Sequence, residues 1–176
     1  QTRMDPDQVE NAFKLLSDRI QSMSMIHERL YQSDNVATIL LGEYIEDLAS
    51  RLQSAYIPEN AEVELDIETE SIQIGLNQAI PLGLALNEIL TNSFKHALPQ
   101  QPVLKLQIRV KCEDPGDICL QISDNGPGLP MNYNTKSTSL GTHLVNILIK
   151  EQLHGSVDLK SDQGTVYKIK FPREFV

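Results

Sequence analysis

Two short stretches carry most of the chemistry this chain could do. The first is Asn87-Glu88-Ile89-Leu90-Thr91-Asn92-Ser93-Phe94-Lys95-His96-Ala97, and the second is Asp124-Asn125-Gly126-Pro127-Gly128-Leu129. Read as a helix at about 100° per residue, the first stretch places Glu88, Asn92, Lys95 and His96 in one narrow sector. Leu86, Leu90, Phe94 and Ala97 fall roughly opposite and are expected to form the buried face. An acid, an amide and two potential cations on one face can hold a hydrated metal ion and the phosphates it bridges. The second stretch ends a strand in a carboxylate and bends through two glycines, which leaves backbone N–H groups able to approach a ligand. Together they predict a nucleotide pocket.

The pairing resembles the ATP-binding domain shared by gyrase, MutL and the two-component histidine kinases. The resemblance implies roles for matching positions. Glu88 and Asn92 match the acid and the magnesium-holding asparagine of that family's first box, and Lys95 and His96 match its phosphate-facing positions. Asp124 matches the carboxylate that accepts a hydrogen bond from the adenine amino group, with Gly126 and Gly128 completing D-x-G-x-G. Ser139-Leu140-Gly141-Thr142-His143-Leu144-Val145 is similar to the second glycine box, with Ser139 in place of a glycine and Thr142 in place of a leucine. Gly164-Thr165 followed by Val166-Tyr167-Lys168-Ile169 resembles the family's terminal G-T strand. The implied ligands are ATP and Mg²⁺. Glu88 would be the catalytic residue, polarising the attacking imidazole or orienting a metal water, Asn92 the metal ligand, and Asn92, Lys95, His96, Asp124, Gly126, Gly128, Leu140, Gly141 and Thr165 the nucleotide contacts. The segment Met131 to Thr138 would be a short ATP lid.

The elements that must position these residues are legible from periodicity. Leu41, Ile45, Leu48 and Leu52 mark a helix, Val63-Glu64-Leu65-Asp66-Ile67 alternates as a strand, and Ile72 with Ile74 suggests another short one. After the long helix come a hairpin over 103–124, a helix from about Leu140 to Leu153, and a second hairpin from Ser156 to Lys160 and Thr165 to Phe171. Helices gathered on one face of a mixed, mainly antiparallel sheet make an α+β two-layer sandwich, here of the Bergerat type by resemblance. In the first hairpin the turn Glu113-Asp114-Pro115-Gly116-Asp117 sets Cys112 opposite Ile118 and sends Cys119 to the other face, so no disulfide is expected between them.

The chain divides near Ser33-Asp34-Asn35, which gives a dimerisation helix over 1–35 and an ATP-binding domain over 36–176. Val9, Phe13, Leu16, Ile20, Met23, His27 and Leu30 recur at steps of four and three, a coiled-coil seam widened by Ala12 and Ile26 into a bundle face. Asp5 with Pro6 is a plausible start. One helix cannot bury this face alone, so a homodimer through it is expected. Ser22 to Gln32 resembles the second dimerisation helix of a subgroup of sensor histidine kinases, which runs just behind the helix bearing the phosphoacceptor histidine. No H-x-[RK]-x-x-N pattern occurs here, and the chain is read as one that starts after that helix. His27 lies in the seam, and His143 and His154 read as surface imidazoles, so the chain is expected to bind ATP without phosphorylating itself.

A net charge of −9 and a pI near 4.8 argue against general nucleic-acid binding, which demands a basic face. No apolar run approaches a membrane span, so no membrane contact by this chain is expected and the placement is cytoplasmic, with any anchor of the parent protein elsewhere. By resemblance the reaction is transfer of the ATP γ-phosphoryl to a histidine and then to an aspartate on a response-regulator receiver domain. Two other readings share the fold. A protein-serine kinase of the anti-sigma type is opposed by the seam helix, and a non-catalytic dimerisation adaptor by the retention of both Asn92 and Asp124.

Overall fold

A computed structural model describes residues 38–58, 61–100, 102–113, 116–129, 140–161 and 163–174. The seam helix, His27, the break at 33–35, Ser139 and the lid over 131–138 lie outside the described residues. The elements run β1 (Thr38–Leu40), α1 (Leu41–Tyr56), β2 (Glu62–Thr69), β3 (Gln73–Gly75), α2 (Leu76–His96), β4 (Val103–Glu113), β5 (Asp117–Asp124), α3 (Leu140–Ile147), β6 (Ser156–Ser161) and β7 (Thr165–Pro172). A π-helical turn, Leu148–Gln152, extends α3.

Five strands form one sheet in the order β2-β4-β5-β7-β6, in which β2 and β4 are parallel and the other neighbours antiparallel. A parallel pair needs a crossover, and here β3 and α2 supply it. On the helix-facing side Leu104, Leu106, Ile108 and Val110 of β4 meet Ile118, Leu120 and Ile122 of β5 and Tyr167, Ile169 and Phe171 of β7, all buried. Period-2 alternation sends Lys105, Arg109 and Lys111 to the other face, where ion pairs to Glu64, Glu68 and Glu113 cover it. The expected register holds: Cys112 pairs with Ile118, Cys119 pairs with Lys111, and both thiols are free.

In α1, Leu41, Tyr44, Ile45, Leu48, Ala49 and Leu52 make one apolar stripe, and all are buried against the core. α2 lies between α1 and α3, and this changes its expected character. Leu86, Leu90, Phe94 and Ala97 are buried as expected, but Glu88 is buried too, at 3 % exposure. The polar stripe therefore runs from the interior at Glu88, through half-buried Asn92, to exposed Lys95 and His96. The helix also continues through Pro81, which lacks the N–H that would bond to the carbonyl four residues back. Burial of Ala79, Leu82, Ala85 and Leu86 around it offsets that loss. Gln78 ties the start of α2 to the end of β7, donating to the Pro172 carbonyl at 2.7 Å and accepting from the Glu174 N–H at 3.1 Å.

β1, which the periodicity does not predict, pairs antiparallel with β3 as a separate two-stranded ribbon. It leads directly into α1, and the Leu41 N–H donates to the Ile72 carbonyl at 2.9 Å.

Candidate nucleotide site

Asp124 ends β5 where it passes beneath α2, and its carboxylate is held on both oxygens. Oδ2 accepts from the Ser93 hydroxyl at 2.8 Å, while Oδ1 accepts from the backbone N–H groups of Gly126 at 2.9 Å and Thr165 at 3.1 Å. Three donors from three separate elements fix the group's orientation, a preorganised acceptor rather than a mobile surface acid. The following residue locks the turn to β4. Asn125 Oδ1 accepts from the Lys105 N–H at 2.8 Å, and its amide nitrogen donates to the Val103 carbonyl at 3.0 Å.

Two glycines make this corner sterically possible. A Cβ on Gly164, whose φ is +141°, would lie 1.8 Å from the Asp124 carbonyl oxygen. A Cβ on Gly126 would lie 2.4 Å from that of Ala97, so the turn presses directly on the end of α2. Only glycine allows β7, the turn and α2 to converge this closely.

The convergence leaves a pocket of about 490 Å³. Ile89, Asn92, Ser93, His96 and Ala97 line one side, Pro127, Gly128 and Leu129 another, with Asp124, Thr142, Thr165, Tyr167 and Gln100 completing it. A single carboxylate in a largely apolar slot, with an amide and an imidazole farther along the helix, suits a planar base with a polar edge and an anionic tail. A larger concavity of about 670 Å³ lies on the charged face of the sheet. Its Arg109, Lys111 and Lys170 are already paired with Asp66, Glu68, Glu113 and Asp117.

Of the expected residues, Asn92, His96, Asp124, Gly128 and Thr165 line the pocket, and Gly126 shapes it from behind. Gly141 brings the start of α3 over the buried acid: a Cβ there would be 2.5 Å from Glu88 Oε2 and 3.8 Å from the Asn92 side-chain nitrogen. Leu140 opens the same helix. Lys95 departs from expectation, for its ammonium lies over the Tyr56 ring, 5.2 Å from the centroid, instead of lining the pocket. Sequence reasoning missed Ser93, Asn125 and Ser161. Ser161 Oγ accepts from the Leu129 N–H at 3.1 Å and so holds the far end of the glycine turn.

The sequence model for histidine kinase-, DNA gyrase B- and HSP90-like ATPases matches residues 77–174, more than half of the chain, and encloses every lining residue. The chain belongs to this family. A second model, described as histidine kinase, matches residues 1–56, so a histidine-kinase segment precedes the ATPase domain. The two matches lie in the order histidine-kinase segment, then ATPase domain. Blue-light-activated histidine kinase 2 of Erythrobacter litoralis is 23% identical over 174 residues, which is 93% of this chain and 48% of that protein. The chain thus spans about half the length of this relative. Among solved structures, the histidine kinase domain of the Erythrobacter litoralis blue-light-activated kinase EL346 superposes with a TM-score of 0.80 at 21% identity, covering 90% of this chain and 75% of that one. The mycobacterial sensor histidine kinase MprB gives 0.61 at 21% identity, over 79% of this chain and 99% of the other. These likenesses show that the α+β sandwich is a fold found in solved histidine kinases. Among the described residues no helix is long and apolar enough to cross a membrane.

Proposed function

We propose that the chain positions ATP for transfer of its γ-phosphoryl to a histidine, from which the phosphoryl passes to an aspartate on a response-regulator receiver domain. The observation that carries this reading is the Asp124 carboxylate, fixed by Ser93, Gly126 and Thr165 at the base of the pocket. Asp124 accepts the adenine amino group, and Ile89 and Tyr167 contribute to the slot for the ring. The phosphates run along α2 toward Asn92 and the N-terminus of α3, where Gly141 and Leu140 bring backbone amides to phosphate charge. His96 adds an imidazole at that end, and the Lys95 ammonium, now over the Tyr56 ring, would serve it from outside the pocket lining.

The donor set suits Mg²⁺ that arrives on ATP. Among the described residues no cluster of three or more His, Cys, Asp or Glu could hold a resident metal. A half-buried amide beside a buried acid suits an ion that keeps its waters and the phosphate oxygens as its other ligands. Asn92 would ligate it, and Glu88 would orient one of its waters or polarise the attacking imidazole. The ion supplies charge neutralisation across the phosphates. In the transfer the imidazole nitrogen bonds to the γ-phosphorus, the bond to the bridging oxygen breaks, and ADP leaves.

The acceptor is not among His96, His143 and His154. His96 lines the pocket itself, and the other two are exposed and lie outside the pocket lining. A homodimer through the seam from Val9 to Leu30 would bring an acceptor helix within reach. Incubation with γ-labelled ATP tests the reading. Acid-labile histidine label should appear when a helix bearing an acceptor histidine of this kinase type is supplied, and Glu88→Ala should reduce it. Label on serine, or none with any such helix while ATP is bound, contradicts it.

A further inference from the structure

Lys95 lies in a place that its position in the polar stripe does not explain. With Glu88 as zero and about 100° per residue, Ser93 falls at about 140°, His96 at about 80°, Asn92 at about 40° and Lys95 at about −20°. Ser93, bonded to Asp124, lines the pocket with His96 and Asn92, while Lys95, next around the helix beyond Asn92, lies outside that lining. Lys95 is exposed, makes no ion pair with a described carboxylate, and rests its ammonium 5.2 Å from the centroid of the half-buried Tyr56 ring. Tyr56 is the last residue of α1 and also the last residue of the matched histidine-kinase segment, whereas Lys95 belongs to the matched ATPase segment. Their contact bridges the two.

We infer that Tyr56 is a positioning residue whose ring confines the Lys95 ammonium just outside the pocket lining, where the terminal phosphate of a bound nucleotide would meet it. The inference rests on the reading of Lys95 as a phosphate contact. A long, exposed lysine loses rotamer freedom when it meets a ligand, and a ring that already confines it reduces that loss. An ammonium over an aromatic face keeps its other N–H groups free to donate to an anion. Because α1 carries the ring, a shift of α1 relative to α2 moves the cation, and the helical segment gains a direct hold on nucleotide affinity.

Parallel titrations of the full chain with ATP and with adenosine test this. Tyr56→Leu should weaken ATP binding about two- to fivefold, the range of an exposed cation–π contact, and leave adenosine binding unchanged. Tyr56→Phe should bind ATP nearly as the parent does, and Tyr56→Leu should add no further loss to Lys95→Met. Parental ATP affinity in Tyr56→Leu, or an additive loss in the double variant, overturns the positioning role. Full ATP affinity in Lys95→Met instead removes the phosphate reading of Lys95, and the inference with it. Should Tyr56→Leu also lose adenosine through misfolding, Tyr56→Trp against Tyr56→Phe decides: tighter ATP binding by tryptophan supports the ring contact, and equality overturns it.

Discussion

Asn92 and Asp124 both line the pocket, and the proposed function gives them different parts of ATP. On that reading Asp124 meets the base, whereas Asn92, beside the buried acid Glu88 and beneath the start of α3, meets the phosphate end. Asn92→Ala should therefore weaken Mg²⁺-dependent ATP binding about tenfold or more, the worth of a contact to a charged group, while adenosine affinity stays within about twofold. Calorimetric titration with both ligands checks it, and equal losses would point to a folding defect. That these residues share one pocket was legible only jointly. An acid that ends an apolar strand and is followed by two glycines is by itself often just a turn, and its company with the polar stripe of α2 pointed to a pocket. Ser93 was not legible, since a serine within a helix reads as a small neutral residue and its partner lies 31 positions away. Nor could the helical wheel foresee that α1 would offer Lys95 an aromatic face.

At the scale of elements, the hairpin β4–β5 followed from alternation and a polar turn, register included, because one face had to be apolar on both strands. The short β1 carries only three residues, too few for a periodic signal, and it exists because β3 gives it a partner. The burial of Glu88 on α2 was equally hidden, since it depends on the flanking helices rather than on the helix's own pattern. The charged face of the sheet makes a further prediction. Lys111, Cys119 and Lys170 around Glu113 hold its carboxyl down at about 2, below an ordinary 4.5. The folded state thus binds this proton less readily than the unfolded chain. The stabilisation is complete above the ordinary value and is lost as pH falls through 4.5 toward about 2. In urea titrations the midpoint of the parent should fall across that window, and that of Glu113→Gln should fall less. Identical pH dependence of the two would remove Glu113 from the account. The same carboxylate and local burial push the Cys119 thiol up to about 11, burial being the larger cause, which keeps it protonated near neutrality.

For the whole molecule, the pocket and the expected seam occupy different stretches of the chain. The pocket is built from residues 89–167, and the expected seam lies within residues 9–30. Charging the seam with Phe13→Glu or Ile20→Glu should shift the chain from dimer to monomer in light scattering and leave ATP affinity unchanged. A parent that is monomeric at high concentration, and indifferent to either substitution, contradicts the dimer.

The most direct measurement is a titration of Asp124→Ala with ATP beside a thermal melt of the same sample. Removing the carboxylate takes away the acceptor for the adenine amino group and leaves a buried donor unmatched. The expected cost is about 1–3 kcal/mol, or about 5- to 150-fold in affinity, with the fold retained. A folded Asp124→Ala chain that binds ATP as tightly as the parent would contradict the account at its centre.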